Sequence, residues 1–353
     1  MHFYPLVVKD IRRETADCVS VALEVPSALR DTFAFHQGQY LTFKTMLEGE
    51  EIRRSYSICS CPADQEWRVA VKEVPDGRFS TYMNRHLKKG DALEVAPPNG
   101  RFFTELSPTQ AKIYALFAAG SGITPILSIA SSVLRTEPQS RVQLFYGNQQ
   151  SDSIIFLEHL EALKNRYLSR FSVHYLLSRE QQEEPLLNGR LDREKLDSFV
   201  GKLFFPEKVD EAFICGPEPM ILDLREGLIA LGMEPRHVHV ELFGVQLAHP
   251  KPQAVAAQMG KTCAVTIKVD GRTTQFSLPF GSKSILDAAL AKGAPLPYAC
   301  KGGVCCTCKA KLLEGKVSMA VNYGLEPEEI EQGYVLSCQS YPESEQVSID
   351  FDA

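Results

Sequence analysis

Four cysteines constrain this chain more tightly than any other feature: Cys300, Cys305 and Cys308 in the spacing C-x4-C-x2-C, followed at a distance by Cys338. That is the ligand spacing of a [2Fe-2S] cluster, in which each iron takes two cysteine thiolates beside two bridging sulfides. Thiolate is the soft donor that holds iron in this state. A chain built this way moves single electrons, and residues 300–308 must fold as a loop around an inorganic core. Gly302 and Gly303 suit that loop, because the absence of a side chain lets backbone N–H groups approach the cluster sulfurs. A zinc site or a group of reduced thiols are the other readings. Zinc usually takes paired C-x2-C knuckles, and only one such pair exists here, with a four-residue gap before it. Disulfide staples are unnecessary in a chain of 353 residues, which can bury a large core. Using Cys306 in place of Cys305 would give C-x5-C-x-C, so Cys306 reads as a non-ligand neighbour. Cys18, Cys59, Cys61 and Cys263 lack metal spacing and read as buried thiols.

The length suggests two or three domains of about 100 to 200 residues each. Met1-His2-Phe3-Tyr4-Pro5 has neither the basic patch nor the apolar run of a signal peptide. The most apolar stretch, Ile113 to Leu134, is interrupted by Gly120, Gly122, Thr124 and Pro125 and is no membrane span. These features lead to the expectation of a cytoplasmic protein without a membrane partner. A formal net charge of -6, with no basic stripe, argues against a nucleic-acid partner. From Val317 onward there are eight carboxylates and no Lys or Arg, whereas Lys301, Lys309, Lys311 and Lys316 lie just upstream. This acidic segment reads either as a solvated helix and tail or as a docking patch for a redox partner.

Three textures divide the chain. Residues 1–105 alternate short β-like runs (Tyr4 to Ile11, Cys18 to Val25, Tyr40 to Leu47, Arg53 to Ser60, Trp67 to Val74, Ala92 to Ala96) with turns, as an antiparallel barrel does, and a helix is expected over Phe79 to Lys88. Residues 106–243 alternate apolar strands with helical patterns over Ile126 to Leu134, Ile154 to Leu168 and Pro219 to Ala230. That alternation implies βαβ units and a parallel sheet. Residues 244–260 have no strong periodicity and read as a linker. Residues 261–353 open with Cys263 to Val269, a turn at Asp270-Gly271, Thr274 to Leu278, and a helix N-capped by Ser284.

At Ala118-Ala119-Gly120-Ser121-Gly122-Ile123-Thr124-Pro125 a strand runs through a glycine-rich turn into a helix, a geometry that offers N–H groups and a helix N-terminus to a pyrophosphate. Pro125 is expected at the first helical position. A second strand-to-helix turn, Cys215-Gly216-Pro217, falls at the carboxyl edge of the same sheet, where ligands of open α/β sheets bind. A nicotinamide nucleotide delivers two electrons as hydride, yet the cluster accepts one at a time. Something must split the pair, and a flavin in the barrel does so. Arg54 could pair with its phosphates, Tyr56 lie against its ring system and Ser57 bond near N5, while Gly77 to Thr81 would bring a helix start to phosphate. Taken singly, these residues also fit a polar barrel strand and a capped helix.

The R-x-Y-S, G-x-x-S, G-S-G-I-T-P and C-G-P motifs occur here in the order found in the ferredoxin-NADP reductase superfamily, and residues 1–243 resemble it. Residues 261–353 resemble plant-type ferredoxins. The order flavin, nucleotide, cluster, with Leu296-Pro297-Tyr298-Ala299-Cys300, is similar to that of the reductase components of phenylacetyl-CoA epoxidase complexes.

The resemblance implies a multidomain fold: an antiparallel β-barrel FAD domain, an α/β parallel-sheet nucleotide domain and an α+β, β-grasp-like [2Fe-2S] domain. It implies electron flow from NADPH through FAD and the cluster to a di-iron oxygenase partner. Arg54, Tyr56 and Ser57 would bind flavin, with Gly77, Phe79 and Ser80 at its phosphates. Gly120, Gly122, Thr124, Pro125, Gly216 and Pro217 would line the nucleotide, and Cys215 would sit with Ser57 where hydride leaves. Ser178 and Arg179 would receive a 2'-phosphate. The Lys and Tyr that follow this segment in plant reductases are missing, with only Arg190 nearby. NADH, FMN, another oxygenase partner and a redox-sensing role therefore stay open as alternatives.

Overall fold

The computed structural model describes residues 1–243 and 261–353, so the segment read as a linker lies outside the described residues. Two compact units emerge, divided near Gly244.

The first unit begins with six antiparallel strands: β1 (Tyr4–Thr15), β2 (Cys18–Glu24), β3 (Tyr40–Leu47), β4 (Glu50–Ser57), β5 (Trp67–Lys72) and β6 (Ala92–Asn99). Their order is β4-β3-β6-β1-β2-β5. An isolated antiparallel bridge between Ile58, just past β4, and Val69 of β5 brings the two ends of the sheet together, as in a barrel. Alternate residues of β1 to β3, among them Leu6, Val8, Val19, Val21, Leu41 and Phe43, point inward and fill the barrel with Phe33 and Phe79. Helix α1 (Arg78–Arg85) stops three residues short of the expected end, because the Asp91 carboxylate takes the backbone N–H of Lys88 and turns the chain toward β6.

Five parallel strands follow: β7 (Ile113–Ala119), β8 (Arg141–Asn148), β9 (Phe171–Leu177), β10 (Glu211–Gly216) and β11 (Val238–Leu242), in the order β11-β10-β7-β8-β9. The strand order reverses between β7 and β10, so the crevice for a ligand lies between their carboxyl ends. Helices α2 (Ile123–Thr136), α3 (Leu157–Arg166), α4 (Arg193–Phe199) and α5 (Glu218–Ala230) connect these strands. Helix α2 begins earlier than expected, directly after a 3-10 turn over Gly120–Gly122, and this places Pro125 third in the helix. A proline costs no hydrogen bond there either, because the first four helical N–H groups have no internal acceptor. Helix α3 starts three residues later than expected because Phe156 adopts φ 63° and Ile154 to Phe156 form the entry turn. Helix α4 has no counterpart among the sequence expectations; Asp192 caps it by accepting from the Lys195 N–H.

In the second unit, β12 (Thr262–Val269), β13 (Arg272–Pro279), helix α6 (Ile285–Leu290), β14 (Lys309–Glu314), β15 (Val317–Met319), helix α7 (Pro327–Glu331), β16 (Tyr334–Leu336), β17 (Ser340–Pro342) and β18 (Gln346–Asp350) follow in turn. The main sheet runs β13-β12-β18-β14-β16 and is mixed, with β12 and β18 parallel. Ser284 caps α6 by accepting from the Asp287 N–H. The acidic segment is partly spoken for: Glu329 of α7 pairs with Lys309, and Asp352 accepts the N–H groups of Asp270 and Gly271 in the β12–β13 turn. No helix among the described residues is long and apolar enough to cross a membrane.

Phe145 on β8 stacks against Phe117, His174 and Phe199 at 5.2, 5.1 and 5.0 Å. Phe145→Ala is expected to destabilise this unit by about 3 to 5 kcal/mol, measured by denaturant unfolding.

Candidate functional site

The two nucleotide motifs meet backbone to backbone. A Cβ on Gly122 would lie 2.1 Å from the Cys215 carbonyl oxygen and 2.9 Å from the Gly216 nitrogen, so only glycine lets the turn after β7 seat against the end of β10. Gly120 has φ 53° with open space around it, and its carbonyl accepts a 2.9 Å hydrogen bond from the Tyr146 hydroxyl. The Thr124 hydroxyl is engaged within the turn, donating to the Ser121 carbonyl at 3.1 Å. Pro217 caps α5. What remains open is the space beside Gly120, where nothing stands within 4 Å of a Cβ position.

On the barrel, Tyr56 and Phe79 rings lie 5.8 Å apart. Burial pushes the partly buried Tyr56 phenol above its ordinary range. Arg54, exposed, donates only to the Arg53 carbonyl and has no carboxylate partner among the described residues. Gly77 is sterically required: a Cβ would meet Ser80 Oγ at 2.3 Å and Val74 O at 2.9 Å. Two expectations change in detail here. The Phe79 side chain is buried in the barrel core, and the Ser80 hydroxyl donates to Gly77 O at 3.0 Å. Their contribution to a phosphate would come through the helix start and its backbone N–H groups. A guanidinium with no carboxylate partner among the described residues, a partly open aromatic face and a side-chain-free loop fit the pyrophosphate and ring system of FAD.

Ser57 and Cys215 are brought together with a residue the sequence reading missed, Glu241. Ser57 Oγ donates to Glu241 Oε2 at 3.1 Å, and Glu241 is the register partner of Cys215 across β10 and β11. Burial raises the Glu241 carboxyl to about 8, against the hydrogen bond from Ser57, which lowers it. The Cys215 thiol is pushed up as well, first by burial and then by the nearby Glu241. A carboxyl that is protonated near neutrality, beside a serine and a thiol at a crevice, can hold or release a proton. One signal was available in the sequence: a lone Glu in the otherwise apolar end of Val238 to Leu242. Phe243 packs against the same cluster of residues as Cys215.

Ser178 and Arg179 lie three strands away from Cys215, about 14 Å at the usual strand spacing, where the chain leaves β9. Their N–H groups bond to the carbonyls of Asn148 and Gln149. The following loop turns back on itself through Gln182, and the Gly189 N–H bonds to Leu177 O at 2.8 Å, which returns Arg190 to the end of β9.

The four spaced cysteines stand as two pairs, Cys300 with Cys305 and Cys308 with Cys338, each thiol acting most strongly on its partner's acidity. Among the described residues no three His, Cys, Asp or Glu side chains converge as a single-ion site. Two pairs fit two irons, each taking two thiolates. The Cys300 thiol is drawn down to about 5, first by Cys305 and then by backbone N–H groups of Cys305, Gly302 and Val304, against burial. The Gly302 N–H lies 3.3 Å from Cys300 Sγ. Cys306, at φ 53°, instead aims its thiol at the Gly324 carbonyl, 2.9 Å away. Cys18, Cys59, Cys61 and Cys263 are buried.

Known proteins share these parts. Residues 5–104 match the family described as oxidoreductase FAD-binding domain, 116–226 the oxidoreductase NAD-binding domain, and 267–343 the 2Fe-2S iron-sulfur cluster binding domain. The chain is 44% identical to one of the component chains of the 1,2-phenylacetyl-CoA epoxidase of Escherichia coli (strain K12), covering 99% of this chain and 98% of that protein. It is 36% identical to the ferredoxin reductase component of 3-ketosteroid-9-alpha-monooxygenase of Rhodococcus rhodochrous, over 98% and 96%. The structure of phthalate dioxygenase reductase superimposes with a TM-score of 0.61 at 22% identity, covering 99% and 98%, and shows the same fold.

Glu241 also sets a pH dependence. The folded protein holds this proton more tightly than the unfolded chain, so the contribution to stability is full below the ordinary 4.5 and is lost as pH rises toward about 8. Glu241→Gln should flatten that stretch of a melting-temperature profile measured across pH 4 to 9. With FAD-, NAD- and 2Fe-2S-binding segments in one chain and full-length likeness to such proteins, this chain belongs to the family of flavin and iron-sulfur reductase components of oxygenase systems.

Proposed function

We propose that this chain is the reductase component of a multicomponent di-iron oxygenase that acts on phenylacetyl-CoA, drawing its electrons from NADPH. The observation that carries the reading is the 44% identity, over nearly the whole of both chains, to a component chain of the phenylacetyl-CoA epoxidase of Escherichia coli. Full-length likeness to a 3-ketosteroid monooxygenase reductase supports a second reading, service to another oxygenase. The partner is selected by surface around the cluster rather than by the cofactor sites.

Bound FAD would accept hydride and pass electrons on one at a time, a task neither the nucleotide nor the cluster can do alone. The residues of the chain supply position and protons. Gly120 and Gly122 let the nucleotide pyrophosphate approach backbone N–H groups at the start of α2. Arg54 neutralises flavin phosphate, and Tyr56 orients the ring system. Ser57 and Cys215 flank the point where hydride leaves the nicotinamide. Glu241, whose Oε2 accepts the Ser57 hydroxyl, carries a carboxyl that can take up or give a proton beside the reacting centre. Arg179, joined by Arg190, offers guanidinium groups to a 2'-phosphate. Cys300, Cys305, Cys308 and Cys338 hold the cluster.

The reading is tested anaerobically. NADPH should bleach the flavin and then raise the rhombic EPR signal of a reduced cluster, and reconstitution with the oxygenase components of the epoxidase should yield the epoxide. Full turnover with an unrelated oxygenase, and none with the epoxidase, would move the assignment to the second reading. Cys308→Ser is expected to abolish the EPR signal and oxygenase-coupled turnover while leaving NADPH-dependent flavin bleaching intact. Arg179→Ala should raise the KM for NADPH about tenfold or more, the usual loss for a charge-assisted contact, with little change for NADH in the same steady-state assay.

A further inference from the structure

Arg179 is followed directly by a carboxylate, Glu180, and where that charge sits decides what the end of β9 can bind. Glu180 Oε2 accepts two hydrogen bonds from one residue of the neighbouring loop, from the Ser151 N–H at 2.7 Å and from Ser151 Oγ at 2.9 Å. Ser151 opens the short 3-10 turn Ser151–Ser153 that follows β8. That loop is itself fixed: the Ser153 hydroxyl donates to the Gln150 carbonyl at 2.6 Å and accepts from the Gln150 N–H at 3.1 Å. The tether therefore runs between two held loops, and among the described residues Glu180 forms no ion pair with Arg179 or Arg190.

The chemistry at this position is a competition. A released carboxylate would pair with the adjacent guanidinium and repel a 2'-phosphate, two effects that act in the same direction. It would also accept hydroxyl hydrogens from an unphosphorylated ribose, as acidic groups at this edge of nucleotide-binding sheets do. We propose that Ser151 is a specificity-determining residue of the nucleotide site. By holding Glu180 it keeps Arg179 open to a 2'-phosphate and withholds the carboxylate from a ribose diol. The inference rests on the NADPH reading above and adds the device that enforces it.

A double-mutant cycle separates the two. The wild-type protein, Ser151→Ala, Glu180→Gln and the double variant are compared for KM with NADPH and with NADH, and for the Kd of 2',5'-ADP against 5'-ADP. Ser151→Ala should weaken NADPH and 2',5'-ADP about three- to tenfold, the worth of one such hydrogen bond, and leave NADH unchanged or improved. Glu180→Gln, similar in shape but uncharged, should tighten 2',5'-ADP. In the Glu180→Gln background Ser151→Ala should have no further effect, because no charge remains to restrain. Equal effects of Ser151→Ala on NADPH and NADH, or an effect that persists in the Glu180→Gln background, would overturn the tether while leaving the NADPH reading in place. If the wild-type protein binds 2',5'-ADP no better than 5'-ADP, or if Arg179→Ala leaves that difference intact, the NADPH reading falls and the tether with it.

Discussion

The contact on which the reductase unit turns is the one between Gly122 and the Cys215 carbonyl, where a single added carbon would stand 2.1 Å from oxygen. It locks the ends of β7 and β10 together at the point where the strand order reverses. The cleft for the nucleotide, the start of α2 and the thiol of Cys215 all take their positions from it. The barrel is registered to the same place through the Ser57–Glu241 hydrogen bond. Flavin-side and nucleotide-side residues thereby share one crevice although more than 180 residues of chain separate the two partners of that bond.

Strands β10 and β11 carry two carboxyls with opposite fates, Glu211 buried and Glu241 partly buried. At the amino end, burial works to raise the Glu211 carboxyl, but hydrogen bonds from His239, Lys112 and His237 outweigh it and bring it down to about 2. At the carboxyl end Glu241 has, among the described residues, one hydroxyl partner and no ion pair, and burial wins. The first group is a fixed charge that ties Lys112 and the β11 edge into the sheet; the second can change protonation near neutral pH. Position along the same pair of strands, and the partners available there, separate a fixed anion from a carboxyl that can change protonation.

Much of this was legible from residue order. The cysteine spacing, the glycine-rich turn after β7 and the C-G-P turn after β10 are local signals, since each depends on backbone conformations that few residues permit. Strands such as Tyr40–Leu47 and Val238–Leu242 were legible for the same reason, being short apolar runs bounded by turn residues. Glu241 was not, because its meaning depends on Ser57, a partner far away in sequence. Ser80 and Phe79 read as ligand groups from their motif, yet one spends its hydroxyl within its own turn and the other fills the barrel. The helix starts at Ile123 and Leu157 were misplaced because a 3-10 turn and a left-handed Phe156 lie where helical periodicity alone sees nothing. Lys301 and Lys309, which the sequence shows only as basic residues upstream of the acidic segment, pair with Asp287 and Glu329, groups that folding brings near.

The position of β18 in the second unit bears on how the protein is made. It lies between β12 and β14 in the interior of the sheet, yet it is synthesised after all four cysteines of the cluster site. While the chain is still on the ribosome, Cys300 to Cys308 and then Cys338 emerge before the sheet that frames them can close. Iron and sulfide delivered at that stage would meet unframed thiols. Closure of the sheet that frames the four thiols therefore waits on its last-made strand, whereas the unit encoded upstream is already complete in sequence by then.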